Sequence, residues 1–563
     1  MALPEWASDL SSDARHVLLT IAALLGTGIL GLPLQLVETG LAPFALMMSV
    51  TLAMQIAVVF LATDLLQRAH AFLAHQRARA PRDRKLPGDA GHEAPGPLLE
   101  QLEEEGGADQ LASAAAHATQ ADLHTMGCLF LPKYLGRAFD LAVLIVFVTT
   151  LISYSLAGGG AYSSLVGGSP QASIVPYVLG CSCYVIFVEP FMRAFMQALT
   201  AAKVVLLVVI IGLCGLVAGE TGLRPHESWE SASVLQPFLI GTVAIGGIAD
   251  LMPYMLDERA RASAQRITRF RRSVCVGVVA CYLLNLLWAG FVLGIVPQRR
   301  SDAGPDGISL QDAAQRGEIA TIPVTQIINA QFHSKFGWLA QAIVVFICLS
   351  VTVSFSAIGL GLKDVLSGFA RSLNAALGLS EDDGAEGEGE GEGEVSASGQ
   401  QLFSAAFWMP ADGRGRKRLC GRAVELAIIL VAFAAVLGVA LSNPTGFLLV
   451  LGTFVSMALN LAGGVFISLM YVAARQRAGH LPVLVPLNER AGRVLAGFVV
   501  VSFNIAVLYD VHQASRSILA EEFAGALTAA ATALLVATSV WPVSRYVFFA
   551  AQAEPAAEAL LAE

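Results

Sequence analysis

Charge is what this sequence has least of. Only 14% of its 563 residues are Asp, Glu, Lys or Arg, while 55% are hydrophobic. A soluble domain carries about 25% charged residues, so a soluble globular chain is excluded and a multi-span membrane protein is implied. Recognisable catalytic apparatus is also missing. There is no phosphate-cradling glycine loop, no nucleophile elbow and no H-E-x-x-H pair. No enzyme is expected, and an ATP-driven mechanism would need other subunits. The eight cysteines lie mostly in apolar segments without metal-ligand spacing, and Cys181 and Cys183 stand too close for a zinc pair. They are expected to be small buried hydrophobes. His226 and His333 have no partner in spacing either, so neither a metal site nor a cofactor is predicted. A net charge of −9 that owes much to one acidic run argues against a nucleic-acid partner. Met1 to Arg15 lacks the basic-then-apolar order of a cleaved signal or a transit peptide.

What the chain has in abundance is apolar runs long enough to cross a bilayer, which takes about 20 residues each. They fall near residues 16–37, 41–66, 137–157, 171–189, 197–218, 234–256, 273–297, 337–362, 421–441, 445–473, 491–511 and 524–541. The fourth and twelfth are the weakest, so twelve spans are predicted, with eleven as the alternative. Lys and Arg collect after even-numbered spans: Arg68 to Lys85, Arg259 to Arg272, Arg414 to Arg418, and Arg475 to Arg493. By the positive-inside rule those loops and the N-terminus are cytoplasmic. The predicted organisation is a cytoplasmic N-terminus (1–15), spans 1–2 (16–66) and a disordered cytoplasmic loop (67–125). Spans 3–8 (126–371), an acidic low-complexity loop (372–418), spans 9–12 (419–541) and a cytoplasmic tail (542–563) follow. Within residues 381–394, eight acids and five glycines cannot bury a core.

The first span should not be a smooth helix. Gly26-Thr27-Gly28-Ile29-Leu30-Gly31-Leu32-Pro33 puts three glycines and a proline in mid-run, each glycine costing about 1 kcal/mol against Ala in a helix interior. Two readings stand: a glycine-lined helix contact with a kink, or an opened helix that exposes backbone groups to a substrate at mid-depth. A second interruption, Ile245-Gly246-Gly247-Ile248-Ala249-Asp250-Leu251-Met252-Pro253, lies five spans on, and such pairing points to a transporter site. Asp250 and Lys203 are ionisable within spans and therefore candidates, although Lys203 near the start of its span has a snorkelling explanation. Tyr154, ahead of Gly158-Gly159-Gly160, is placed to present a phenol to a cavity. Thr352, Ser354 and Ser356 alternate in span 8. They either cap carbonyls of their own helix or coordinate an ion or Lys203, with Thr352 and Ser356 sharing a face.

These residues carry a resemblance. The first-span stretch from Gly26 to Pro33 resembles the GxG(I/M)(L/F)xLP pattern of amino acid permeases, shown by both the amino acid/auxin and the tryptophan/tyrosine permeases. Span 8, from Thr352 to Leu366, looks like the SFxxVxLGLxDxL stretch of the tryptophan/tyrosine permeases, and Pro444-Thr445-Gly446-Phe447-Leu448 with Leu451-Gly452 is similar to the opening of their tenth helix. Lys203 is similar to the fifth-helix lysine of related amino acid/polyamine/organocation transporters, where the amine occupies a sodium-site position. The sixth span departs from the aromatic permeases' Gly-Phe-His-Gly-Ser-Val-Pro: Ala249 replaces the histidine and Asp250 follows. In the seventh, Asn285 stands three residues after Tyr282 where Trp is usual, and Trp288 is displaced.

The resemblance implies an all-α membrane protein with the five-plus-five inverted repeat of the leucine-transporter type, spans 1–5 and 6–10, with spans 11–12 appended. It also implies secondary active transport of a neutral amino acid, aromatic ones included, proton-linked or by exchange. The substrate carboxylate would sit on the amides of Thr27, Gly28 and Ile29, beside Gly26, and its side chain would face Ile245, Gly246, Gly247 and Ile248. Lys203 would be a fixed cation by span 8, releasing its proton during the cycle. The partners expected are an amino acid, protons and the lipid bilayer. A different solute or ion on the same scaffold, and a non-transporting membrane sensor, remain as rival readings.

Overall fold

The computed structural model describes residues 5–83, 121–376, 413–518 and 521–547, apart from short gaps at 224, 230, 257–260, 262, 304–306, 444–445 and 448–449. The acidic run at 381–394, most of the loop predicted at 67–125, and Pro444, Thr445 and Leu448 of the tenth-span motif lie outside the described residues. The described residues are helical with no strand among them. Among the described residues eleven helices are long and apolar enough to cross a membrane, twelve if the bent pair at the start of the chain is counted as one span. The protein is an all-α, multi-span membrane protein. In hydrocarbon every backbone N–H and C=O needs an internal partner, and helices supply it. Large apolar side chains such as Val205, Leu430 and Val431 are left exposed, as expected of a lipid-facing surface.

Span 1 consists of α1 (Glu5–Leu24) and α2 (Thr27–Gln35), meeting at 52°. Span 2 is α3 (Leu41–Asp83). After the short α4 (Leu123–Phe130), span 3 is α5 (Lys133–Val166), and span 4 is α6 (Pro170–Cys183) with a π-helical turn at Tyr184–Val188. Span 5 belongs to α7 (Glu189–Thr221). Span 6 is broken into α8 (Ser231–Ala244) and α9 (Ile248–Met255), and span 7 is α10 (Ala264–Ile295). Two short helices, α11 (Leu310–Gln315) and α12 (Thr321–Gln331), precede span 8, α13 (His333–Ala376). Span 9 is α14 (Gly413–Ser442). Span 10 opens with a π-helical segment (Val450–Val455), passes through α15 (Ser456–Asn460) and a second π-helical segment (Leu461–Phe466), and ends as α16 (Ile467–Ala478). Span 11 is α17 (Glu489–Ile518), and span 12 runs from α18 (Glu521–Leu535) through a π turn.

Two expectations need correction. Helix α3 does not stop at residue 66 but runs to Asp83, so the first part of the predicted disordered loop is helical. Its 43 residues extend about 65 Å, twice the hydrocarbon thickness. The reason is local: residues 67–80 contain neither Gly nor Pro and are rich in Ala and Arg, good helix formers. Similarly, the N-terminal segment expected ahead of span 1 is helical from Glu5. Where α3 leaves its apolar stretch, Asp64 accepts from Arg68 Nε at 2.7 Å and from the Leu487 N–H at 2.9 Å, with Arg475 at 3.4 Å. Asp64 and Arg68 are buried and Arg475 is partly so, and the cluster ties span 2 to the end of span 10.

Candidate functional site

The two broken spans meet. At the first break, the Leu25 N–H still bonds the Ile21 carbonyl, but Gly26 adopts φ −100°, ψ −142° and the helix restarts at Thr27. At the second, Gly247 takes φ +80°, the left-handed region that glycine enters at little cost, and caps α9. A Cβ at Gly246 would run into the Thr242 carbonyl, so both glycines are required for this turn. A Cβ at Gly28 would stand 2.7 Å from Ala244 Cα. The two helices therefore cross with backbone nearly touching backbone.

Between them lies a cavity of about 70 Å³, bounded by Gly26, Gly28, Gly246 and Gly247, by Tyr154 and Thr150 of α5, and by Asp250 of α9. Apolar side chains make up the rest, among them Phe147, Ile358, Val455 and Leu459. Asp250 is the single acidic or basic side chain in this lining. It occupies the first turn of α9, where the positive helix pole favours a carboxylate. It is 6% exposed, and its Oδ1 is buried without a hydrogen-bond partner. A buried acceptor with no donor is costly, and a donor entering the cavity would relieve that cost.

Behind the cavity wall, the Lys203 ammonium is 1% exposed. Its Nζ donates to Ser354 Oγ at 2.7 Å and to the Ala22 carbonyl at 3.3 Å. The Ala22 carbonyl is in the last turn of α1, whose negative pole favours a cation. Lys203 therefore does not snorkel; it joins spans 1, 5 and 8 immediately beside the first break.

Several expected site residues fall elsewhere. Thr352 donates to the Cys348 carbonyl at 2.7 Å and Ser356 to the Thr352 carbonyl at 2.8 Å. Of the two readings given for these hydroxyls, Thr352 and Ser356 bond carbonyls of their own helix, while the intervening Ser354 meets Lys203. Thr352 also bonds the Tyr162 hydroxyl at 2.9 Å. Ile245 and Ile248 are fully buried in the apolar core and do not line the cavity. The reason is Gly247: its positive φ resets the helical phase, turning Asp250 and Leu251 toward the cavity instead. Ile29 is also in the core, and its carbonyl accepts from Trp288 Nε1 at 2.9 Å. Thr27 opens α2, leaving its N–H among those with no partner inside the helix. Tyr154 lines the cavity, its hydroxyl against Gly26.

Trp288, displaced from the motif position, binds the Ile29 carbonyl behind the first break and does not line the cavity. Asp64 and Asp510 were missed although both sit in apolar runs. The rule that singled out Lys203 and Asp250 applies to them equally.

No family model matches this chain, and no curated protein matches it. The chain is similar to solved structures of a manganese transporter from Eremococcus coleocola. One, in complex with an aromatic bis-isothiourea substituted compound, is 11% identical with a TM-score of 0.48, over 97% of this chain and 98% of that chain. A mutant form is 10% identical with a TM-score of 0.49 over the same shares.

Proposed function

We propose that this protein is a secondary transporter that moves a neutral amino acid by alternating access, with spans 1–5 and 6–10 as two inverted halves. The observation that carries the reading is the unpartnered Asp250 carboxylate in a cavity walled by two broken helices. An amino acid is complementary to that arrangement at both ends. Its ammonium supplies the donors that Asp250 lacks, and its carboxylate suits the amides at the positive end of α2, around Thr27 and Gly28. The remaining apolar lining suits an uncharged side chain. A volume of about 70 Å³ holds only a few waters, which favours small substrates such as alanine over aromatic ones in this conformation.

Among the described residues no group of three or more His, Cys, Asp or Glu is placed to hold a metal ion, so a transition-metal cargo has less support. Lys203 fills the place beside the first break with a fixed positive charge, which favours coupling to protons or exchange over coupling to sodium. The basic loops favour a cytoplasmic N-terminus. The test is an uptake screen of purified protein in liposomes over the neutral amino acids, with imposed proton or sodium gradients. Accumulation of a small neutral amino acid driven by protons, or its counterflow without sodium, is the expected result. Failure of every amino acid to move or bind would overturn the reading.

A further inference from the structure

A second buried acid lies outside the cavity, between spans 10 and 11. Asp510 of α17, Ser456 and Asn460 of α15 are all 0% exposed. Ser456 Oγ donates to Asp510 Oδ2 at 2.9 Å, and Asn460 Nδ2 donates to Ser456 Oγ at 3.1 Å. Two oxygens remain without a partner: Asp510 Oδ1 and Asn460 Oδ1. Both are acceptors when the carboxyl is ionised, and no charged side chain offsets it. The groups acting on Asp510 are Ser456 and Asn460, with the Tyr509 phenol within electrostatic reach. His512 and Arg516, two and six residues on along the same helix, are half-buried and exposed and line a separate pocket with Tyr509; on the neighbouring helices the described charged side chains include the distant cluster of Asp64, Arg68 and Arg475. Arg493, on the same helix as Asp510, is about 25 Å away along its axis. An isolated carboxylate this deeply buried is unstable. A proton on Asp510 removes the charge and turns the carboxyl into a donor, where only acceptors stood unsatisfied.

We propose that Asp510, with Ser456 and Asn460, forms a proton-binding site separate from the central cavity. The helix that bears it is two-sided. Ser456 and Asn460 face Asp510, while their sequence neighbours Val455 and Leu459 line the cavity. Leu459 also packs on the span-6 break, since a Cβ at Gly246 would stand 2.8 Å from its Cδ2 and one at Gly247 3.3 Å from its Cδ1. The π-helical segments on either side of α15 are irregularities of the kind that mark functional positions in helices. Proton arrival and loss at Asp510 thus act on α15, and through Leu459 on the break beside the substrate. This link to transport rests on the function proposed above; the proton site rests on the packing alone.

Infrared difference spectra of the purified full-length protein between acid and alkaline pH test the site directly. A protonated-carboxyl stretching band is expected in the wild type and lost in Asp510→Asn. Ser456→Ala keeps the acid, removes its hydroxyl partner and should displace the midpoint of that band, so the site remains testable if the first variant folds poorly. In liposomes Asp510→Asn should retain amino acid counterflow and lose at least tenfold of proton-driven accumulation. A band unchanged in Asp510→Asn and unmoved in Ser456→Ala would overturn the proton site. Proton-driven accumulation unchanged in Asp510→Asn would overturn its coupling. A wild type that titrates at Asp510 but neither binds nor moves any amino acid would overturn the transport reading and leave the site standing.

Discussion

Lys203 Nζ donates to Ser354 Oγ at 2.7 Å, across spans 5 and 8, while also reaching the Ala22 carbonyl at the end of α1. A sodium ion at that position would need those same oxygens. Two unit charges about 4 Å apart cost about 4 kcal/mol at an effective dielectric of about 20, so a protonated Lys203 and a sodium ion exclude each other. Uptake should therefore proceed unchanged when choline replaces sodium. Lys203→Ala should reduce it tenfold or more, and Lys203→Arg should keep substrate binding but lose proton-linked accumulation, because arginine does not deprotonate in proteins. Sodium-dependent uptake that survives Lys203→Ala would remove the lysine from the coupling mechanism.

Asp250 is expected to act on affinity. Asp250→Asn preserves shape and removes the charge that faces a substrate ammonium. Losing one partner of a buried charge pair costs about 2–5 kcal/mol, so the half-saturating concentration should rise about tenfold or more. Size-exclusion profiles in detergent should stay like wild type. Uptake kinetics unchanged by the substitution would place the substrate elsewhere.

The two glycines of the first break should respond differently. A side chain at Gly28 meets the backbone of Ala244 at 2.7 Å, which cannot swing away. Gly28→Leu should thus lower the yield of folded protein, the outcome of a helix-packing role. At Gly26 the nearest atoms the new Cβ meets belong to the Tyr154 side chain, its hydroxyl first. Gly26→Ala should fold and lose transport, with partial recovery in the double variant carrying Tyr154→Phe. Thermal melts alongside uptake distinguish the two effects.

Outside the spans, His124 Nδ1 lies 3.0 Å from Asp140 Oδ1. The Asp140 hydrogen bond, followed by that to Cys128, pushes the imidazole up to about 10. With an ordinary value of about 6.5 in the unfolded chain, the imidazolium contributes stability that is fully present below about pH 6.5. That contribution is lost as pH rises through about 10. Melting temperature should accordingly fall between those limits in the wild type, and by less in His124→Gln. Equal slopes in the two proteins would show that the pair contributes nothing.

The sequence by itself determined the spans and where they break. Both follow from local chemistry: apolar runs of bilayer length, and glycines that remove the side chains stiffening a helix. It marked Lys203 and Asp250 because an ionisable group in an apolar run needs a partner wherever it lands, and Tyr154 because it stands just ahead of three glycines. Which partner it meets was decided only by the tertiary structure. Ser354 rather than Thr352 or Ser356 receives Lys203 because three helices cross at one height. Asp250 rather than Ile245 or Ile248 faces the cavity because Gly247 at φ +80° resets the rotation of everything after it. Asp510 finds Ser456 and Asn460 some fifty residues back, a pairing created by how spans 10 and 11 pack. Helix phase and crossing are properties of the assembled bundle, and no spacing within one segment encodes them.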